Sequence, residues 1–192
     1  AVSSRPDSQL RRIDAVLGNL SNAMSLTQTQ DGYLKNIGDA FTRMSELAML
    51  AQDNTKADED RKLYDEEFKQ LIGYINSSLG KSFNGVDLFW NKTGTPDPIK
   101  ITIDADGGTF SITPINVFGP EYKDALTHGG TITGGKLELA TADDAAASLV
   151  AVKAALTQFH LDRASLGAIQ SRIEFTINQL AESKVNLGQA KS

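Results

Sequence analysis

At 192 residues, with a formal net charge of −5, 40% hydrophobic and 22% charged residues, the chain has the composition of a folded protein with a substantial core. The acidic balance argues against nucleic acid, which asks for clustered Lys and Arg, and no apolar run approaches the roughly 20 residues of a bilayer span. Cysteine is absent, which excludes disulfides and thiolate metal sites. Ala1 carries neither an initiator Met nor a secretory signal, so a trimmed fragment of a longer protein is expected.

The first segment predicts one long helix from about Arg5 to Gln52. Pro6 and Asp7 suit its first turn. Leu10, Ile13, Leu17, Leu20, Met24, Thr27 and Leu34 follow the three-and-four spacing of an apolar seam. The seam resumes as Ile37, Phe41, Met44, Ala48 and Ala51. Between Asp31 and Ile37 the rhythm slips, flanked by Gly32 and Gly38, which turns the stripe or overwinds a supercoil locally. At roughly 1.5 Å per residue this helix measures about 70 Å, more than a compact globule can use.

"DNTKADEDRK", Asp53 to Lys62, breaks the pattern with turn formers and then supplies acids to open a second helix. Leu63, Phe68, Leu71, Ile72, Ile75 and Leu79 mark its apolar face, and Gly80 its C-cap. So short a connection predicts an antiparallel pair.

Residues 90–142 change character. Ile99, Ile101 and Ile103 alternate, Asp106-Gly107-Gly108 turns, and Phe110 and Ile112 alternate again, which is a hairpin signal. A further pair of short strands is expected around "THGGTITGGKLELA", Thr127 to Ala140. This Gly- and Pro-rich region is expected to be exposed and variable.

From Asp143 helix returns through to Ser192. Leu149, Val152, Leu156, Phe159, Leu166, Ile173, Ile177, Leu180 and Leu187 keep one heptad phase, with Arg163, Gln170 and Lys184 as polar intrusions that set register. The fold class is therefore mainly α with a small β region: an elongated, antiparallel, coiled-coil-like rod of long helices with an inserted β-hairpin region. Residues 1–89 form its N-terminal part, 90–142 the β insertion and 143–192 its C-terminal helix.

Sites for chemistry are sparse. His128 and His160 lie far apart and no His-Glu-x-x-His occurs. "DADGG", Asp104 to Gly108, lacks the closing Glu of a calcium loop and reads as a hairpin turn. The acid clusters "DEDR" and "DEE" read as a helix start and a solvated face. No phosphate-cradling loop or nucleophile elbow appears, and "NKT" at Asn91 reads as a chance triplet. No catalytic, cofactor or metal site is expected; the chain does not read as an enzyme.

The segment "FTRMSELAMLAQDNTKADEDRKLYDEEFKQLIGYINSSLGKSFNGVDLF", Phe41 to Phe89, resembles the N-terminal rod of bacterial flagellins. "LGAIQSRIEFTINQLAESKVNLGQAKS", Leu166 to Ser192, resembles their C-terminal rod. The resemblance covers both flanks and not the middle. It implies a secreted, extracellular structural subunit of the flagellar filament serving motility. Its implied partners are other flagellin subunits, the flagellar export chaperone and the cap proteins. It also implies that Phe83, Asn84 and Gly85 form the corner where the second rod helix passes into β structure, Asn-Gly tolerating positive φ.

The tube-forming extreme termini of flagellins are missing, so the fragment is expected to be monomeric, and its middle leaves room for one small β region. The family's contact pattern for the innate receptor Toll-like receptor 5 maps onto Arg43, Leu47 and Glu67, with Thr42 in place of the usual Gln and Ser45 in place of a second basic residue. Two other readings stay open. A hook-filament junction protein has similar rods, though "FNGVDLF" favours flagellin. A surface adhesin or carbohydrate-binding module would need exposed aromatics around Trp90, Phe118 and Tyr122.

Overall fold

The computed structural model describes residues 4–191; the readings placed on Ala1 and Ser192 lie outside them. The chain is mainly helical, with three small antiparallel hairpins. In chain order these are α1 (Ser4–Gln52), α2 (Asp58–Leu79), β1 (Ser82–Phe83), β2 (Val86–Asp87), β3 (Ile99–Thr102), β4 (Thr109–Ile112), α3 (Pro120–Leu126), β5 (Thr131–Ile132), β6 (Gly135–Lys136) and α4 (Ala142–Lys191). Two compact units share them. The described part of the first comprises 4–29, 96–114 and 164–191; the second comprises 30–95 and 115–163.

In the first unit, the α1 and α4 stretches run antiparallel and share one core. Ile13, Val16, Leu20 and Ala23 meet Ile173 and Leu180, and Lys184 Nζ stands 2.7 Å from Asp14 Oδ1. The β3–β4 hairpin closes this core. Its register pairs Ile101 with Phe110 and Ile99 with Ile112, and Ile101, Phe110 and Ile112 are buried in the same cluster. The expectation of an exposed hairpin therefore holds for one face only. Side chains of a strand alternate, so its apolar set must find a core while the alternate set stays wet. Asp104 Oδ1 accepts the amides of Asp106 and Gly108 and so closes the turn.

In the second unit, α1, α2 and α4 surround a core that includes Phe41, Phe68, Ile75, Val152 and Phe159, each at most 2% exposed. α1 continues through the slip at Asp31–Ile37 without interruption, and Leu34, Ile37, Phe41, Met44, Ala48 and Ala51 are all buried as their spacing predicts. Leu63 departs from expectation: it is 72% exposed, and Arg61 occupies the inward position at the start of α2. Arg61 Nε donates to Ala51 O at 2.7 Å and its Nη2 to Asp53 O at 3.0 Å, while Nη1 pairs with Asp58 at 2.9 Å. The last carbonyls of a helix have no partner within it, and a planar guanidinium satisfies several at once. Asp60 accepts the amide of Ala57 and opens α2. Gly80 donates to Ser77 O at its end, with φ −89 rather than the left-handed conformation.

The loop carrying β5 and β6 is held from both sides. Asp65 of α2 accepts the Leu139 amide at 2.9 Å and faces His128 Nε2 at 3.0 Å, while Ser148 Oγ of α4 accepts the Glu138 amide at 3.1 Å. Leu137 and Leu139 are fully buried as a result.

Candidate functional site

Arg43, Leu47 and Glu67 all belong to the second unit, where α1 and α2 run antiparallel. Arg43 Nε donates to Glu67 Oε2 at 2.6 Å and Nη2 to Glu67 Oε1 at 3.2 Å, a two-pronged pair, and Nη1 reaches Glu46 Oε2 at 3.2 Å. The hydrogen bond it donates to Glu67, then that to Glu46, raises the Arg43 pKa above its ordinary value. Both partners are nearly half exposed, so the pair is worth no more than about 1 kcal/mol to stability. Leu47 is 1% exposed. It lies in the core and offers no side chain to solvent.

The corner Phe83-Asn84-Gly85 is a two-residue hairpin in which Phe83 pairs with Val86. Asn84 has φ 49 and Gly85 φ 78, the pair of positive angles that Asn-Gly adopts at least cost. Leu88 and Phe89, just beyond it, are buried, and Gln30 Nε2 donates to Leu88 O at 2.7 Å. The corner is thereby tied to α1 through a buried glutamine that spacing alone did not single out.

Trp90, Phe118 and Tyr122 do not form an exposed aromatic cluster. Tyr122 is 4% exposed, its ring near Phe41 and its hydroxyl donating to Asp162 Oδ2 at 2.5 Å. Burial, and then that hydrogen bond, push its pKa well above the usual phenol range. Phe118 is 45% exposed and borders an open cleft of about 360 Å³, which Asn76, Asn91, Lys123 and Thr127 also line. His160 stacks edge-on with Phe159 at 5.5 Å. Among the described residues, no group of three or more His, Cys, Asp or Glu could hold a metal ion, and no helix is long and apolar enough to cross a membrane.

In each unit long helix stretches and small hairpins present extended helix surfaces, the architecture of a structural protein. Comparison with known proteins gives the family. The model for the bacterial flagellin N-terminal helical region matches residues 1–93, and that for the C-terminal helical region matches 149–192. Flagellin FlaB1 of Treponema pallidum is 28% identical over 197 residues, covering 100% of this chain and 69% of its own length. The flagellin of Listeria monocytogenes is 27% identical over 191 residues, covering 96% of this chain and 66% of its own.

Among solved structures, Bacillus cereus flagellin superposes with a TM-score of 0.70 at 27% identity, over 85% of this chain and 88% of that one. A putative flagellar hook-associated protein of Vibrio parahaemolyticus reaches a TM-score of 0.79 over 98% of this chain and 94% of that one, but at 13% identity this shows the shared fold alone. The chain belongs to the flagellin family. It is a filament protein that self-associates, and not an enzyme.

Proposed function

We propose that this chain serves motility as a secreted subunit of an extracellular flagellar filament. The observation that carries the reading is that the two family segments, far apart in sequence, are brought side by side: Ile13 with Leu180 in one unit, Asp31 with Arg163 (3.0 Å) in the other. A subunit needs such stiff, internally satisfied helices because its outer faces must be left for neighbouring copies. The flagellar export chaperone and the cap proteins are the partners such a subunit meets before and during assembly. Expression of the gene encoding this chain in a flagellin-deficient bacterium tests it: filaments on the cell and restored swimming are expected, and export without either outcome removes the proposal.

A second reading concerns recognition of the same helices by Toll-like receptor 5. What supports it is the exposed Arg43–Glu67 pair bridging two helices; Leu47 is buried. In receptor-reporter cells Arg43→Ala is expected to lower the response, and equal responses to both proteins would take Arg43 out of the contact.

A further inference from the structure

The 164–191 stretch of α4, in the first unit, is regular on two faces. Its inward face buries Leu166, Ile173 and Leu180. Its outward face runs Ala164, Ala168, Ser171, Phe175, Asn178, Glu182 and Val185 in alternating steps of four and three, and every one is exposed. Phe175 is 75% exposed and Val185 58%. The row carries no ionisable residue before Glu182. One exposed Phe would call for no explanation. A heptad row in which small side chains flank a bulky knob is what a helix shows to another helix. Nearby cations are already engaged, Arg172 over the Phe110 ring at 4.3 Å and Lys184 with Asp14.

The α1 stretch of the same unit presents a face of small side chains. No ionisable residue occurs from Ala15 to Thr29. Ala15, Gly18, Asn22 and Ser25 are exposed in steps of three and four, and a β-carbon on Gly18 would meet nothing within 4 Å. The row as far as Asn178 and this face of α1 carry no ionisable residue, so bringing those parts together desolvates no charge of their own, with Glu182 left towards the row's end. They are different patches, so one copy's row meets another copy's α1 face in a heterologous contact that propagates instead of closing.

We infer that the outward row of α4 centred on Phe175 docks on the Ala15–Ser25 face of α1 in a second copy of this chain. The inference rests on the filament-subunit reading and adds which faces meet. Because the chain has no cysteine, single-cysteine variants of the full chain test it cleanly. When Phe175→Cys and Gly18→Cys proteins are mixed at high concentration and oxidised, the mixed disulfide should exceed either self-pair by about tenfold. It should exceed a mixture of Phe175→Cys with the exposed hairpin variant Lys100→Cys by a similar factor. Predominant self-pairs, or equal yields in all mixtures, overturn the docking.

In sedimentation, Phe175→Asp should raise the concentration at which the chain self-associates by about tenfold or more, as loss of a central aromatic anchor does, without moving its thermal unfolding. Self-association unchanged by Phe175→Asp sinks this contact and leaves the filament reading standing. No self-association by any variant sinks the contact as well, while the filament reading is decided by the swimming assay.

Discussion

Phe159 of α4 lies directly over Gly38 of α1: a β-carbon built on Gly38 would stand 2.7 Å from Phe159 Cε1 and Cζ. The glycine is a socket for a fully packed ring, and it explains why a helix breaker is kept in the middle of a long helix. Gly32, six residues earlier, has nothing within 4 Å of the same position.

The two glycines should therefore respond in opposite directions. Gly32→Ala is expected to stabilise by up to about 1 kcal/mol, the ordinary helix-propensity gain. Gly38→Ala should destabilise by about 1–3 kcal/mol, because the ring is hemmed in by Phe41 at 6.3 Å and the core must shift. Urea midpoints of the two variants at unchanged slope decide it; a gain for both would mean the ring moves freely.

Arg61→Ala removes the side chain that terminates α1. It takes the Arg61 donor from the Ala51 carbonyl and leaves the Asp53 carbonyl with the Lys56 amide alone, at a cost of about 1–3 kcal/mol. Arg61→Lys should recover less than half of this, since a point charge cannot reproduce the fork. Denaturation midpoints and amide exchange at the last turn of α1 are the readouts, and full rescue by Lys would show that charge alone matters.

Tyr122 gives a pH dependence with a definite sign. Its folded pKa lies above its ordinary value of 10.0, so the unfolded chain releases the proton first. The stabilisation is complete below that value and is lost as pH rises past it. Tyr122→Phe keeps the ring beside Phe41 but has no proton to lose. It should be less stable by about 1 kcal/mol at pH 8, and the gap to the unsubstituted protein should close between about pH 9 and 11. A gap that stays constant over this range contradicts the assignment.

Much of the architecture follows from spacing. The inward rows of α1 and α4, the antiparallel turn into α2 and the β3–β4 and β5–β6 hairpins follow from period and turn chemistry, because burying an apolar stripe leaves few choices; at Phe83-Asn84-Gly85 only a corner was expected, and it is a hairpin. Leu63 shows the limit of that logic. Its place in the row predicts burial, yet the first buried apolar side chain of α2 is Phe68, and Arg61 takes the inward position before it to satisfy α1.

The candidate contact residues divide in the same way. Arg43 and Glu67 meet because α1 and α2 are antiparallel, whereas Leu47, three residues after Met44 and four before Ala51, belongs by spacing to the inward face and is 1% exposed. The outward row with Phe175 is present in the residue spacing, one or two positions after the inward row, where the stronger apolar periodicity masks it.

Residue order by itself determines which long segments are helix, where they stop and which stripe each must hide, since these depend on neighbours a few positions away; the short α3, inside the region expected to be β, is not legible in that way. Tertiary structure alone decided that Gly38 receives Phe159, that Gln30 holds Leu88, and that the β3–β4 hairpin buries Phe110 against α1 and α4. Each of these joins residues dozens of positions apart. Complementary volumes and unpaired polar groups select such partners only once the helices lie together.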